Sequence, residues 1–321
     1  VIGKCQSCRL LLKVDDRGRD VCTGYACPNP YGLMPVMFDE AFVGSDIEFD
    51  TTRKSGWVAQ SLEENPVDGA VVMAPYSGRK SADRGIAEVH DAVYVDGVVA
   101  GTDGSNWFKP GDGVFSMADA HVFGMVAAAR FALETSSNAG SLSSGFHHAK
   151  PNRGNGYCTF NGLAVAVYAL QSFYRLDRPV AVLDVDAHMG GGTYACVGSN
   201  PNVVLADVST NSFDVWHPSA DRHRIWLADA DTYLGHVEAA CRFVINRNPS
   251  IALYNAGMDP FDDGVPADML KQREALVASL MAGAGIPVAW CLAGGYTDQL
   301  TRDELVGLHR FTVEAFATGE S

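Results

Sequence analysis

Short apolar runs rich in β-branched residues alternate with longer helical stretches through most of this chain, and this alternation limits its possible folds more than any other feature. Runs at 70–75, 180–186, 203–208, 251–256 and 287–293 read as strands, short enough and apolar enough to be buried on both faces. Stretches at 118–134, 162–174, 228–245, 267–284 and 302–317 read as helices, the first of them Ala-rich and free of Pro. Strands alternating with helices imply an α/β fold, a parallel sheet covered on both faces. The 321 residues, 47% hydrophobic and 19% charged, suffice for one large domain of this kind or two smaller ones. No internal repeat or low-complexity segment interrupts the pattern.

In sheets of this type function gathers at the carboxyl ends of the strands, and there the sequence carries chemistry. The run at 180–186 passes into Asp184-Val185-Asp186-Ala187-His188, and the run at 251–256 into Asn255-Ala256-Gly257-Met258-Asp259. Asp186 and His188 are two positions apart in a strand end, so both can face one cation. With Asp259 they make an Asp₂His set that suits zinc and leaves positions open for water and substrate. Alone, Asp-x-Asp-x-His is equally a polar loop; Gly190, Gly191 and Gly192 and the matching Asp259 favour a site. His147-His148 precede a Gly-containing loop that opens a helix, and paired imidazoles can divide the roles of base and acid. Tyr296 follows Gly294-Gly295, a turn common in isolation, which lets the backbone approach closely and aims a phenol inward. Two carboxylates, an imidazole, a histidine pair and a phenol are the parts of metal-assisted amide hydrolysis.

The first 33 residues differ from the rest. Cys5 and Cys8 form one knuckle, residues 10–14 and 19–22 read as a hairpin, and Cys22 and Cys27 form a second knuckle. A piece this short cannot bury enough apolar surface to fold without a staple. The pattern resembles a zinc ribbon, in which Cys5, Cys8, Cys22 and Cys27 would hold a structural zinc; a disulfide pair or a redox-active Cys-x-x-Cys stays open. Cys158, Cys196, Cys241 and Cys291 sit in apolar surroundings and read as small buried hydrophobes. A Pro/Gly-rich joint at 28–32 divides this module, 1–33, from a catalytic domain, 34–321, for which Met34 is a candidate start. The chain opens on Val1-Ile2-Gly3 without a starting Met or an apolar leader region, which suggests a trimmed end.

Residues 34–321 resemble the histone deacetylase superfamily, zinc amidohydrolases with an arginase-like three-layer α/β fold. The words that carry the resemblance, in the family's order, are Gly145-Phe146-His147-His148-Ala149, Gly156 to Asn161, Asp184 to His188, Asn255 to Pro260 and Gly294-Gly295-Tyr296. The resemblance implies that Asp186, His188 and Asp259 bind the catalytic zinc. It implies that His147 and His148 are the acid/base pair and that Tyr296 polarises the acyl oxygen. Asp184 would orient His147 and, with Ser209, bind a monovalent cation, usually potassium. Tyr157 replaces a Phe that normally walls the acyl-lysine channel, and Phe213 is expected along the same channel. Two positions depart from the family pattern. Met189 stands where a second His is frequent. Gly191 stands where an Asp or Asn normally orients the second histidine of the pair, which leaves His148 without that partner and places the chain outside the best-known eukaryotic branches.

The expected activity is removal of a short acyl group from an amine: an acylated protein lysine, a polyamine or a small metabolite. Two other readings compete. An arginase-type ureohydrolase needs further ligands for a second manganese, which Met189, Gly190 and Gly191 do not supply. A catalytically silent binding module working through the ribbon conflicts with the complete set of site residues. The net charge of −14 argues against an extensive nucleic-acid surface, and no run of 18 apolar residues suggests a membrane span. A cytoplasmic protein, with homo-oligomerisation possible, is the resulting expectation.

Overall fold

A computed structural model describes residues 12–14, 20–22, 32–102 and 113–317. β1 (Leu12–Val14) and β2 (Asp20–Cys22) pair antiparallel, with Leu12 opposite Cys22. Cys5, Cys8, Cys27 and the side chain of Cys22 lie outside the described residues, and the expected ribbon zinc with them.

From residue 34 the expected alternation continues. β3 (Met34–Met37), α1 (Asp50–Glu64), β4 (Ala70–Met73), α2 (Arg79–Val89) and α3 (Ala92–Ala100) come first. α4 (Val114–Thr135), β5 (Ala139–Ser144), α5 (Gly162–Phe173), β6 (Val180–Asp184), α6 (Gly191–Val197), β7 (Val203–Ser209) and β8 (His223–Leu227) follow. α7 (Tyr233–Ile245), β9 (Ile251–Ala256), α8 (Ala267–Gly283), β10 (Val288–Leu292) and α9 (Arg302–Ala317) complete the described chain. β3 to β10 form one all-parallel sheet in the order β4-β3-β5-β10-β9-β6-β7-β8.

Alternation along the strands explains the two helical layers. Val180 and Val182 of β6 pack in one core with α2, α4 and α5, whereas Ala181 and Leu183 pack in the other with α1, α7, α8 and α9. The result is the expected three-layer arginase/deacetylase-like architecture. Among the described residues no helix is long and apolar enough to cross a membrane.

β3, β5, β8, α1, α2, α3 and α6 were not legible as elements. β5, Ala-Gly-Ser-Leu-Ser-Ser, lacks an apolar run although all six residues are buried. Its small residues answer large neighbours: a Cβ at Gly140 would run into the Trp290 ring of β10. The helix expected over 228–245 starts only at Tyr233, because Asp229 and Thr232 bond to each other in a turn; the Asp229 carboxylate accepts from the Thr232 N–H at 2.9 Å.

Candidate active site

The register of the sheet builds the site. Asp184 of β6 lies beside Asp207 of β7 on one side and Asn255 of β9 on the other, and Asn255 lies beside Cys291 of β10. The segments following β5, β6, β9 and β10 therefore leave the sheet as neighbours, and each carries one of the sequence words described above.

Asp186, His188 and Asp259 converge. Their ligand atoms lie within 4.8 Å of one another, and among the described residues this is the one such group of three. His188 Nδ1 is 3.2 Å from Asp186 Oδ1 and 3.0 Å from Asp259 Oδ2. Backbone donors hold the carboxylates from behind. The Gly294 N–H donates to Asp186 Oδ2 at 2.7 Å, and the Ala187 N–H donates to Asp259 Oδ1 at 3.0 Å. Glycine is needed at 294 and at 257, because a Cβ would press into the Asp259 carboxylate at one and the Asp186 carboxylate at the other. Burial and the charge of Asp186 push Asp259 up to about 6. Burial opposes charge on His188, but Asp186 and Asp259 outweigh it and push the ring up to about 11. Two buried carboxylates around one imidazole nitrogen fit a divalent cation in chemistry and in spacing.

The His147 and His148 rings lie side by side, centroids 3.9 Å apart. His147 Nδ1 meets Asp184 Oδ2 at 2.8 Å, and Asp184 Oδ1 accepts from Asn255 Nδ2 at 2.9 Å. His148 is not left alone by Gly191. Its Nδ1 meets Asp214 Oδ2 at 3.0 Å, a carboxylate from the loop after β7, and Lys150 pairs with the other oxygen of Asp214. The partner that the family pattern places at 191 is here replaced by one from another loop. A partner 66 positions away cannot be read from local spacing. Burial opposes the charged form of His147, but Asp184 and Asp186 push it up to about 10; burial and the neighbouring His147 push His148 down to about 4.

Tyr296 lines the same cleft as His147, His148, Asp186 and His188. Burial and the charges of Asp259 and Asp186 raise its phenol well above the usual range, so it stays a donor. Gly295 takes a φ of 129° to present it. Helix α1 braces this turn. The fully buried Lys54 donates to the carbonyls of Ala293 and Gly295, and Asp50 accepts from the Thr297 N–H at 2.6 Å. Tyr157 and Phe213, both partly exposed, flank the cleft. Phe213 stands edge-on to His148 at 5.0 Å and to His188 at 5.6 Å, and Tyr157 packs on Phe49 at 4.8 Å.

Ser209 ends β7, and its hydroxyl donates to Asp207 Oδ1 at 2.5 Å. Asp207 was not singled out from sequence, although it lies beside Asp184 in the register. Its other oxygen accepts from Trp216 and from the Gly190 N–H, both at 2.8 Å, and burial with the charge of Asp184 pushes it up to about 7. Arg273 of α8 was also missed. It is fully buried, bonds the carbonyls of Val185 (3.3 Å) and Gly257 (2.6 Å), and so ties together the two loops that carry Asp186 and Asp259. The signal for it was a single arginine inside an otherwise ordinary helix.

Comparison with known proteins bears on the family and the fold. The histone deacetylase domain family matches residues 49–308. Histone deacetylase 2 of Arabidopsis thaliana is 29% identical over 199 residues, 56% of this chain and 50% of that protein. An uncharacterized protein of a Picosynechococcus strain is 30% identical over 192 residues, 56% of this chain and 62% of its own length. The chain thus spans about half to three-fifths of these curated relatives. The crystal structure of an acetylpolyamine aminohydrolase from Burkholderia pseudomallei superposes with a TM-score of 0.69 at 17% identity, covering 88% of this chain and 98% of that one. At that identity the likeness concerns the fold.

Proposed function

The chain belongs to the histone deacetylase family, and from that premise we propose that it is a zinc-dependent deacylase that hydrolyses short acyl groups from amines. One observation carries the reading: Asp186 and His188, whose triad Asp259 completes, border one cleft with the histidine pair and Tyr296 at the carboxyl ends of adjacent strands. Asp186, His188 and Asp259 would hold the ion; zinc bound there supplies Lewis acidity toward an acyl carbonyl and acidifies a water. The protein's own groups do the rest. The paired imidazoles, each held at Nδ1 by a carboxylate, accept the proton of the attacking water and return it to the leaving amine. The Tyr296 hydroxyl donates to the oxygen on which negative charge develops. The aromatic faces of Phe213 and Tyr157 enclose the apolar stem of the substrate. Asp184 and Ser209 are assigned to a monovalent cation, for which the buried Asp184–Asp207 pair supplies the negative charge.

The substrate class is an acylated amine, with acyl-lysine and acyl-polyamine as the first candidates. The second of these is the substrate named for the Burkholderia protein of the same fold. A two-manganese ureohydrolase is the weaker reading, since Met189, Gly190 and Gly191 offer no further ligand beside the triad. Turnover of an acetyl-lysine peptide and an acetylated polyamine should vanish on chelation and return with zinc. Asp186→Ala, His188→Ala and Asp259→Ala should each lose the metal of this site. Turnover that survives complete chelation, or triad variants that keep full metal, would refute the reading.

A further inference from the structure

We propose that Asp214, anchored by Lys150, is the positioning residue of His148, replacing from the loop after β7 the orienting group that Gly191 cannot supply. The inference rests on the deacylase reading for its kinetic consequence but not for its geometry.

Every polar contact of the Asp214 carboxylate serves this arrangement. Oδ2 receives the His148 ring at 3.0 Å and the Gly192 N–H at 3.0 Å, while Oδ1 receives the Lys150 ammonium. The side chain is 6% exposed, so these bonds form largely out of water. Lys150 lies two residues beyond His148 on the same loop. One short segment therefore carries both the ring that is held and the cation that holds its holder.

The backbone is shaped for the same purpose. Asp214 adopts a φ of 56°, a left-handed conformation that costs a non-glycine residue energy and persists where the surroundings enforce it. The enforcing contact is the Phe213 carbonyl, which accepts from the Met189 N–H at 3.1 Å and pins the loop onto the segment after β6. Gly191 is the complementary feature. A Cβ there would collide with the Asp214 carbonyl oxygen and come within 2.7 Å of its Oδ1. A side chain at 191 and a carboxylate at 214 therefore compete for one space, so the glycine that removes the usual orienting residue admits its substitute. Gly156 closes the opposite side, where a Cβ would meet the His148 ring.

The chemical consequence concerns the tautomer. A carboxylate at Nδ1 selects the imidazole with its proton on Nδ1, leaves the Nε2 lone pair for the reacting proton, and prevents the ring from rotating. Lys150 keeps the carboxylate in place and offers it a fixed countercharge.

The test uses the zinc-loaded full chain and two independent readouts. The first is the His148 tautomer, observed through nitrogen-15 ring couplings. The second is steady-state deacetylation with metal content measured alongside. Asp214→Ala should abolish the single Nδ1–H tautomer of His148. It should also lower kcat about a hundredfold, within the range of general acid–base contributions, with KM and zinc content little changed. Asp214→Asn, which tolerates the left-handed backbone and keeps an acceptor, should recover part of both. Gly191→Ala, which displaces Asp214 without removing it, should reproduce the loss. An unchanged tautomer with kcat within about twofold in Asp214→Ala would overturn the proposal. If the wild-type chain deacylates nothing, the functional reading falls, and the tautomer alone decides whether Asp214 positions His148.

Discussion

At the scale of single residues the site separates groups that hold a metal from groups that move protons or stabilise charge. Asp186, His188 and Asp259 form the first set; Tyr296 belongs to the second, because its phenol lines the cleft without joining the triad. Tyr296→Phe should therefore keep its zinc yet lose about 10²–10³ in kcat, the usual effect of removing one oxyanion donor. Zinc content and kcat measured on the same preparation check this, and near-normal turnover would mean that the phenol points elsewhere in catalysis. Gly294 shows how little room the triad has. Gly294→Ala would drive a methyl group into the Asp259 carboxylate, and metal affinity should fall at least tenfold, the scale of effects seen when the surroundings of metal ligands are altered. Competition with a fluorescent zinc chelator reads this directly, and unchanged affinity would show that the loop yields.

At the scale of elements the loops that bear the site are held by helices distant in sequence. Lys54 and Asp50 of α1 grip the turn of Tyr296, and Arg273 of α8 ties the loop of Asp186 to that of Asp259. Arg273 also pairs with Glu274 at 2.5 Å, and both side chains are fully buried. Arg273→Leu leaves the Glu274 carboxyl without its cation in the core and removes a donor from two loop carbonyls. It should cost about 3–5 kcal/mol, the loss typical of a broken buried pair. Urea denaturation of the full chain measures it, and a cost under about 1 kcal/mol, the worth of an exposed pair, would show that the brace is dispensable.

At the scale of the whole molecule two buried histidines outside the metal site make the fold sensitive to acid. His90 Nδ1 meets the Lys150 carbonyl while its Nε2 accepts from the Asn161 N–H, each at 3.0 Å. His121 Nε2 meets the Phe42 carbonyl at 2.8 Å while its Nδ1 accepts from the Ser144 N–H at 2.7 Å. A second ring proton would face a backbone N–H in either case. Burial accordingly pushes both down to about 4 from an ordinary 6.5. The unfolded chain takes up these protons first as the pH falls. The stability associated with neutral rings is present above about pH 6.5 and lost progressively toward pH 4, roughly 3 kcal/mol for each ring over the full interval. Denaturation midpoints should drop between pH 7 and pH 5, and less so in a His121→Gln variant; equal midpoints at the two pH values would contradict the wiring. Both rings anchor segments that lead to His147 or follow His148, so acid should loosen the site before the sheet.

The sequence alone determined the α/β class, the parallel sheet, five of its strands, and the five short words that carry the family resemblance. It could do so because these are local quantities: an apolar run of strand length, a helical period, and polar side chains placed one to four positions apart. Other features were beyond its reach. β5 leads into the segment of the histidine pair, but its small buried residues are matched to Trp290 and not to any period of their own. Asp207 takes its place through strand register, and Lys54, Arg273 and Asp214 reach the site through side-chain contacts with residues 16 to 241 positions away. The clearest case is His148. Gly191 read locally meant a missing partner, whereas the folded chain uses the space that glycine leaves to bring in Asp214. Local spacing records which donors a strand end offers. Which carboxylate reaches which ring is decided by how the loops beyond the sheet pack, and that exists only in three dimensions.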